Sequence, residues 1–224
     1  MRWDLSTNEE IDGNTYIAME FTQNGALLDL VMGLHAAKEG VSEHLAKFFF
    51  RRLIKGLDYM HSRDFVHLDI KHDNILLDAF NEPKLADFGF AQKVTGPITF
   101  NKYTKEYAAP EVLRPTGPYD GKKADIYSMG VVFYSTFNCK YPPSSGALEF
   151  PPGTSDAIKV IIKAMLSKNP ADRPSTSDLL TQFPYRDWFK EDTITQPDYD
   201  RYVLIATERS QRYLMNQSQV YSAY

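Results

Sequence analysis

The stretch VHLDIKHDNILL, residues 66–77, places two aspartates, two histidines, a lysine and an asparagine next to aliphatic residues. Carboxylates seldom lie beside buried aliphatic side chains unless a partner or a chemical task keeps them there. Asp69 and Lys71 are two positions apart, so an extended backbone would point both side chains the same way. The stretch therefore predicts a site where a proton acceptor and a fixed positive charge face one substrate group, with Asn74 nearby.

A second polar segment, ADFG at residues 86–89, follows this stretch closely. Asn74 and Asp87, at the ends of two neighbouring strands, would supply the hard oxygen ligands that Mg²⁺ takes together with waters and phosphates. Gly89 is expected to let the backbone turn sharply beside Asp87. A carboxylate, a lysine and a bound metal around a hydroxyl nucleophile are the minimal set of groups for phosphoryl transfer.

The composition is that of an ordinary globular protein, and 224 residues suffice for one large domain. The formal net charge of -4 argues against a protein that binds the nucleic-acid backbone, because such proteins are usually basic. Cys139 is the only cysteine, which excludes an internal disulfide and fits a reducing compartment. No apolar run approaches the roughly eighteen residues of a membrane helix, and the first residues lack the apolar core of a signal peptide. We expect an intracellular, cytoplasmic protein without nucleic-acid or membrane partners.

The periodicity predicts a small β portion followed by a mostly helical body. A hairpin is expected over 3–21, with its turn at 12–14, and a long loop over 89–110. The polar, Tyr-rich tail 184–224 is expected to be a solvated or partly disordered extension with a helix over 207–217. Further helices are predicted over 25–40, 42–62, 124–139, 155–169 and 175–183, and short strands around 65–67, 74–78 and 84–87.

Five segments in order resemble the motifs of protein kinases. HLDIKHDN (67–74) resembles the catalytic loop, DFG (87–89) the metal-binding motif and YTKEYAAPE (103–111) the end of the activation segment. ADIYSMG (124–130) is similar to the family's central buried helix, and MLSKNPADRPS (165–175) to its late Arg-containing turn. The resemblance covers residues 15–183 and is specific, because five motifs share the family's order and spacing.

The resemblance implies an α+β, protein-kinase-like fold with a mostly helical large lobe preceded by a remnant β-hairpin of the small lobe. Its boundaries would be 1–21 for the hairpin, 22–24 for the hinge, 25–183 for the large lobe and 184–224 for a C-terminal extension. By the same resemblance, the protein would be a serine/threonine kinase that transfers the γ-phosphate of ATP, with Mg²⁺, to a protein hydroxyl. Lys71 and Thr104 favour serine or threonine over tyrosine as the acceptor. No regulatory partner is indicated.

The matching residues take their roles from the family. Asp69 would be the catalytic base, Lys71 would neutralise the γ-phosphate, and Asn74 and Asp87 would hold Mg²⁺. Four residues would contact the adenine ring of the nucleotide: Met19 as gatekeeper, Glu20 and Thr22 through their backbone, and Leu76 from beneath the ring.

Five residues would be structural. Glu111 and Arg173 would form the ion pair that fastens the activation segment to the helical lobe, and Asp125 would anchor the catalytic loop. His67 and Phe88 would pack beside the site.

The five histidines are expected to have no catalytic or metal-binding role. His67 is predicted to be a core packing residue and His72 a solvated loop residue. Core packing is also the simplest expectation for Met19 and Met165. Surface or end positions on helices are expected for His35, His44 and His61.

The sequence departs from the family before the gatekeeper position. The eighteen residues before Met19 hold one glycine, Gly13, and the first lysine in the chain is Lys38. The family's Gly-rich loop, strand lysine and its glutamate partner are therefore missing from this sequence, which suggests a truncated chain with little or no activity.

Two further departures concern regulation and the substrate surface. Leu68 stands where many kinases carry an arginine that contacts a phosphorylated activation segment, so phosphorylation of Thr95, Thr99 or Thr104 is expected to be a weak switch. The connection between 139 and 155 is too short for the helix that usually follows the central one.

Two other functions remain open at this stage. A non-catalytic, kinase-like interaction module is favoured by the missing strand lysine, but a scaffold gains nothing from keeping Asp69, Lys71, Asn74 and Asp87. A small-molecule phosphotransferase with the same fold is disfavoured by the segment 103–111, which forms a peptide platform in protein kinases.

Overall fold

A helical body with three short antiparallel strand pairs makes up the described part of the chain. The computed structural model describes residues 10–11, 14–15, 19–36, 40–190, 197, 200–202, 204–205 and 208. The strands are β1 (Glu10–Ile11), β2 (Asn14–Thr15), β3 (Phe65–Val66), β4 (Ile75–Leu77), β5 (Pro83–Leu85) and β6 (Gln92–Lys93). The helices are α1 (Leu27–Ala36), α2 (Glu43–His61), α3 (Pro110–Leu113), α4 (Gly121–Asn138), α5 (Asp156–Met165), α6 (Thr176–Thr181) and α7 (Tyr185–Lys190).

Helix α2 forms where the sequence predicted it. The Ser42 hydroxyl accepts the backbone N–H of Leu45 at 3.2 Å and so caps the helix. Its apolar stripe, which includes Leu53 and Leu57, is buried against the core. Phe50 stacks on Phe133 of α4 with ring centroids 3.5 Å apart, which joins the two longest helices.

Helix α4 is central, and the predicted burial on nearly every face is confirmed. It begins at Gly121, three residues before the predicted start, because the Asp120 carboxylate accepts the backbone N–H of Lys122 at 2.9 Å. Gly130 lies so close to α5 that an added Cβ would be 2.9 Å from Met165 Cβ. A glycine is therefore needed where these two helices meet.

The short strands frame two polar loops. Strand β3 pairs with β6, and β4 pairs with β5 in the register Ile75 opposite Leu85. Residues 67–74 thus connect β3 to β4, and the residues after β5 lead into β6, which pairs with β3. Strand β6 lies inside the stretch 89–110, so the expectation of an unbroken loop there is wrong.

The predicted amino-terminal hairpin is only partly described. Strands β1 and β2 pair with Glu10 opposite Thr15, on either side of the predicted turn. Residues 3–9 of the predicted hairpin lie outside the described residues. The predicted strand does not extend to Phe21, because residues 19–22 have no regular structure and Phe21 is 81% exposed.

The expectation of a solvated tail from residue 184 is wrong for its first part. Helix α7 buries Trp188 and Phe189, and Tyr202 lies edge-on to Phe49 of α2 at 5.4 Å. These aromatic side chains remove apolar area from water that a solvated segment would leave exposed. Of the predicted helix 207–217, only residue 208 is described.

The predicted lack of a helix between 139 and 155 is confirmed. Within the described residues, the helices are all too short or too polar to cross a bilayer.

Candidate active site

One buried carboxylate sets the shape of the loop that carries the candidate catalytic residues. Asp125 on α4 accepts the backbone N–H groups of His67 and Leu68, each at 2.8 Å. Leu68 adopts a left-handed backbone, with φ +65, which typically costs on the order of 1–3 kcal/mol in a non-glycine residue. His61 also donates from Nε2 to Asp125, at 2.9 Å. The two backbone hydrogen bonds offset the strain at Leu68 and fix the direction in which Asp69 leaves the loop.

Asp69 is buried and accepts hydrogen bonds from three side chains. Lys71 Nζ donates to Oδ2 at 2.8 Å, Asn74 Nδ2 donates to the same oxygen at 3.0 Å, and the Thr104 hydroxyl donates to Oδ1 at 2.6 Å. Burial raises the pKa of Asp69, but the hydrogen bonds from Lys71, Thr104 and Asn74 outweigh it and hold the pKa below its usual value. Asp69 is therefore an ionised acceptor at neutral pH.

Asn74 and Asp87 are brought close through the backbone. The Ala86 N–H donates to the Asn74 carbonyl at 2.8 Å, which places Asp87 one residue beyond the Asn74 strand end. Asn74 uses Nδ2 for its bonds to Asp69, and its amide oxygen takes no part in them. The Asp87 carboxylate is exposed. An amide oxygen and a carboxylate are hard donors of the kind Mg²⁺ takes when phosphates and waters complete its shell.

The described residues hold no cluster of three or more histidine, cysteine, aspartate or glutamate side chains able to bind a metal. A site with two protein ligands therefore suits an ion that arrives with phosphate ligands. The expected sharp turn lies at Asp87, with φ +56, and not at Gly89. At Gly89 the space is tight, since an added Cβ would be 3.1 Å from Asp87 Oδ1.

Of the four residues predicted to contact adenine, three precede α1 and the fourth, Leu76, lies on β4. Met19 is 63% exposed, so the expectation of a core position for it is wrong. The Glu20 carboxylate accepts Lys84 Nζ at 2.8 Å. Thr22 and Leu76 are half-buried, and Ala26 bridges to Leu76 as an extra backbone pairing on β4.

An ion pair holds the end of the activation segment in place. Arg173 donates two hydrogen bonds to Glu111, at 2.6 and 2.8 Å, and the ion pair expected from the sequence is present. The segment is also pinned by backbone: Ile98 and Tyr119 exchange N–H to C=O bonds at 2.8 and 2.9 Å. The Glu111 pair and the Ile98 bridge together fix the chain on both sides of Thr104.

Leu68 packs into an apolar cluster beneath this segment. The cluster is formed by Ala108, Ala109, Val112, Tyr119 and Ala124. An arginine at this position would have to place its charge among these side chains or turn away from them.

His67 is fully buried, as predicted. Its Nε2 donates to the Ala86 carbonyl at 3.1 Å and its Nδ1 accepts the Asp69 N–H at 3.3 Å. Phe88 lies beside the ring, with centroids 5.2 Å apart. These contacts tie the catalytic loop to the strand that leads into DFG.

Two other histidines are more buried than the sequence suggested. His72 is 3% exposed instead of solvated, and burial lowers its pKa to about 4. His61 lies at the end of α2, as expected, and is buried there. Their partners, Tyr107 and Thr136 for His72 and Asp125 for His61, are 35 to 64 residues away in sequence, so no local pattern could identify them.

The fold is that of a protein kinase. A family model described as protein kinase domain matches residues 5–186, and the chain belongs to this family.

Among known proteins, the chain is similar to CBL-interacting protein kinase 33 of Oryza sativa subsp. japonica, with 32% identity over 204 residues, or 84% of this chain and 43% of that protein. It is 31% identical to maternal embryonic leucine zipper kinase of Xenopus tropicalis over 77% of this chain and 28% of that protein. The probable serine/threonine-protein kinase MARK-C of Dictyostelium discoideum is 30% identical over 79% of this chain and 24% of its own length. The chain thus spans less than half the length of these relatives.

Proposed function

We propose that the protein carrying this chain is a serine/threonine protein kinase that transfers the γ-phosphoryl group of ATP to a hydroxyl of a protein substrate. The observation that carries the proposal is the set of contacts at Asp69. Its carboxylate accepts the Thr104 hydroxyl at 2.6 Å on one oxygen and the Lys71 ammonium at 2.8 Å on the other. A proton acceptor, a cation and the segment 103–111 meet there at one point.

These groups divide the chemistry between them. Asp69 is ionised and already accepts a hydrogen bond from the Thr104 hydroxyl, so a substrate hydroxyl at the same oxygen would be oriented and would find an acceptor for its proton. Lys71 carries a fixed charge beside that oxygen, suited to a phosphate group that becomes more negative at its equatorial oxygens. Asn74 holds the backbone and the carboxylate of Asp69 in place through two hydrogen bonds.

Protein kinases use ATP and Mg²⁺, and the residues present suit both. Asn74 Oδ1 and the Asp87 carboxylate would hold the metal, which supplies charge neutralisation for the phosphates. Met19, Glu20, Thr22 and Leu76 would meet the adenine ring. We assign residues 22–24 as the hinge, since Asn24 ties this strip to the large lobe through its N–H to the Leu77 carbonyl at 3.2 Å.

The preference for serine and threonine is supported by the contact of Lys71 with Thr104. Lys71 Nζ reaches the Thr104 hydroxyl at 3.3 Å as well as Asp69, which closes the space beside the carboxylate. Relatives such as MARK-C are named serine/threonine kinases.

The test is a transfer assay on the protein as its gene encodes it. Purified protein is incubated with γ-labelled ATP and a peptide library, with Mg²⁺ or with a chelator, and the labelled residues are identified by phosphoamino-acid analysis. We expect Mg²⁺-dependent label on serine and threonine. The absence of transfer, together with no Mg²⁺-dependent binding of ATP, would favour a non-catalytic kinase-like interaction module.

A further inference from the structure

The buried imidazole of His72 joins three parts of the large lobe. It sits in the turn between Lys71 and Asn74, with Nδ1 3.0 Å from the Tyr107 hydroxyl and Nε2 3.0 Å from the Thr136 hydroxyl. Thr136 belongs to α4, and Tyr107 belongs to the segment 103–111. One side chain of the catalytic loop therefore contacts both the central helix and the predicted peptide platform.

The available protons determine which group donates in each hydrogen bond between Tyr107, His72 and Thr136. The Thr136 hydroxyl donates to the Val132 carbonyl at 2.8 Å, so towards His72 its oxygen can only accept. Nε2 of His72 must then carry the proton. The ring is buried and its two nitrogens contact hydroxyl groups and no carboxylate, which leaves Nδ1 as an acceptor for the Tyr107 O–H.

The Tyr141 hydroxyl is a competing acceptor for the Tyr107 proton. Tyr141 packs edge-on against it, with ring centroids 5.5 Å apart, and a hydrogen bond towards Tyr141 would also use the Tyr107 proton. Tyr141 is 49% exposed, however, so water can satisfy its hydroxyl. Nδ1 of His72 is buried and has no such substitute, and leaving it without a donor would cost free energy. The bond from Tyr107 to His72 is therefore favoured.

Tyr107 is also held at its backbone. Its carbonyl accepts the Ser128 hydroxyl at 2.9 Å, and its N–H donates to the Thr104 carbonyl at 3.1 Å. Because Thr104 donates to Asp69, the path from His72 through Tyr107 and Thr104 returns to the catalytic carboxylate. A closed ring of contacts of this kind restrains the platform relative to Asp69 more than any single bond would.

We propose that His72 is a positioning residue: by accepting from Tyr107 and donating to Thr136, it holds the segment 103–109 in the conformation that binds the peptide substrate. The proposal rests on the proposed function for its substrate, but its structural part stands without it. An apolar side chain could fill the same volume, yet it could not fix the Tyr107 hydroxyl in one direction.

The first arm of the test does not need enzymatic activity. In protein labelled with ¹⁵N-histidine, the NMR signals of His72 should show a protonated Nε2 and an unprotonated Nδ1, and amide exchange at Tyr107 and Ala108 should be slow. Tyr107→Phe should shift the Nδ1 signal and speed exchange of these amides at least tenfold. A protonated Nδ1, or exchange that the substitution leaves unaltered, would overturn the proposal even if the protein proves not to be a kinase.

The second arm measures kinetics. Tyr107→Phe and Thr136→Val should each raise the KM for a peptide substrate about tenfold and lower kcat less than threefold. Thr176→Val is the matched control, because it removes a buried threonine hydroxyl on α6 that donates to Asp58 of α2 at 2.7 Å and bonds to neither the catalytic loop nor the segment 103–111. It should change neither constant. If the two site variants lower kcat at constant KM, or if the control behaves as they do, His72 has only a general structural role.

Discussion

Arg173 donates two hydrogen bonds to the Glu111 carboxylate, and its side chain has no exposure to solvent. The guanidinium also donates from Nε to the Ser167 carbonyl at 2.8 Å and from Nη1 to the Lys123 carbonyl at 2.9 Å. A planar group with several fixed donors meets all these acceptors at once, which an ammonium group cannot do. The activation segment is thus fastened to α4 and to the turn before α6.

Replacing this arginine should therefore be costly. Arg173→Ala should lower the free energy of unfolding by about 3–5 kcal/mol, because the Glu111 carboxylate and two carbonyls lose their donors. Arg173→Lys keeps the charge but loses the paired geometry and should cost about half as much. Urea denaturation measures both. Arg186→Ala is the control: its partner Asp187 is exposed, so the change should stay within about 0.5 kcal/mol. A lysine variant as stable as the wild type would refute this role.

Two helix glycines should respond in opposite ways to replacement by alanine. Gly130 lies at the contact between α4 and α5, and Gly56 lies on α2. Gly130→Ala would bring a Cβ within 2.9 Å of Met165 Cβ, so we expect a loss of about 1–3 kcal/mol in stability. Gly56→Ala on α2 meets only Leu85 Cδ1 at 3.9 Å, and the better helix propensity of alanine should add up to about 1 kcal/mol. Thermal or urea unfolding of both variants tests the pair. Equal effects of the same sign would contradict the described helix packing.

Glu43 gives stability that depends on pH. Burial raises its pKa, but hydrogen bonds from the Ser155 hydroxyl and Trp188 Nε1, both at 2.6 Å, outweigh burial and hold the pKa below its usual value. A carboxyl with a lowered folded-state pKa stabilises the fold above its unfolded pKa of 4.5, and this contribution is lost as the pH falls through the folded pKa.

Glu43→Gln should accordingly lower stability at pH 7 by about 1–2 kcal/mol. The difference from the wild type should shrink as the pH is lowered below 4.5. Urea titrations followed by Trp188 fluorescence at several pH values measure it. A difference that stays constant between pH 7 and the acid range would show that the Glu43 charge does not stabilise the fold.

Leu68 leads to a prediction about regulation. Because this side chain packs on the apolar cluster Ala108, Ala109, Val112, Tyr119 and Ala124, it offers no charge to a phosphate on the activation segment. Phosphomimetic Thr95→Glu and Thr99→Glu should therefore change the rate of peptide phosphorylation less than twofold. Both threonines are exposed, and neutral Thr95→Gln and Thr99→Gln serve as controls for the change of shape. Activation of several fold by the glutamates alone would contradict this reading of Leu68.

Much of the large lobe could be predicted from local patterns. The stripe on α2, its Ser42 cap and the apolar faces of α4 each lie within one segment, so periodicity and capping residues suffice to find them. The spacing within 67–74 and the DFG segment likewise identified Asp69, Lys71, Asn74 and Asp87. The structure brings the first three into direct contact and places Asp87 beside the backbone of the third.

The features that were missed depend on distant partners. His61 and His72 are ordinary polar residues in sequence, and they are buried because Asp125, Thr136 and Tyr107 reach them from other segments. Trp188 is buried because its Nε1 donates to Glu43 and its ring packs beside Phe50 of α2. Such pairings follow from tertiary packing, which overrides local polarity.

The central claim, that Asp69 is the acceptor for a substrate hydroxyl in phosphoryl transfer, is tested most directly by one substitution. Asp69→Asn keeps the shape of the side chain but removes the negative acceptor, while Asp73→Asn changes an exposed carboxylate in the same loop. Initial rates of Mg²⁺-dependent peptide phosphorylation should fall at least about a hundredfold in the first variant and less than twofold in the second. Equal rates for Asp69→Asn and the wild type, in protein that remains folded, would contradict the claim.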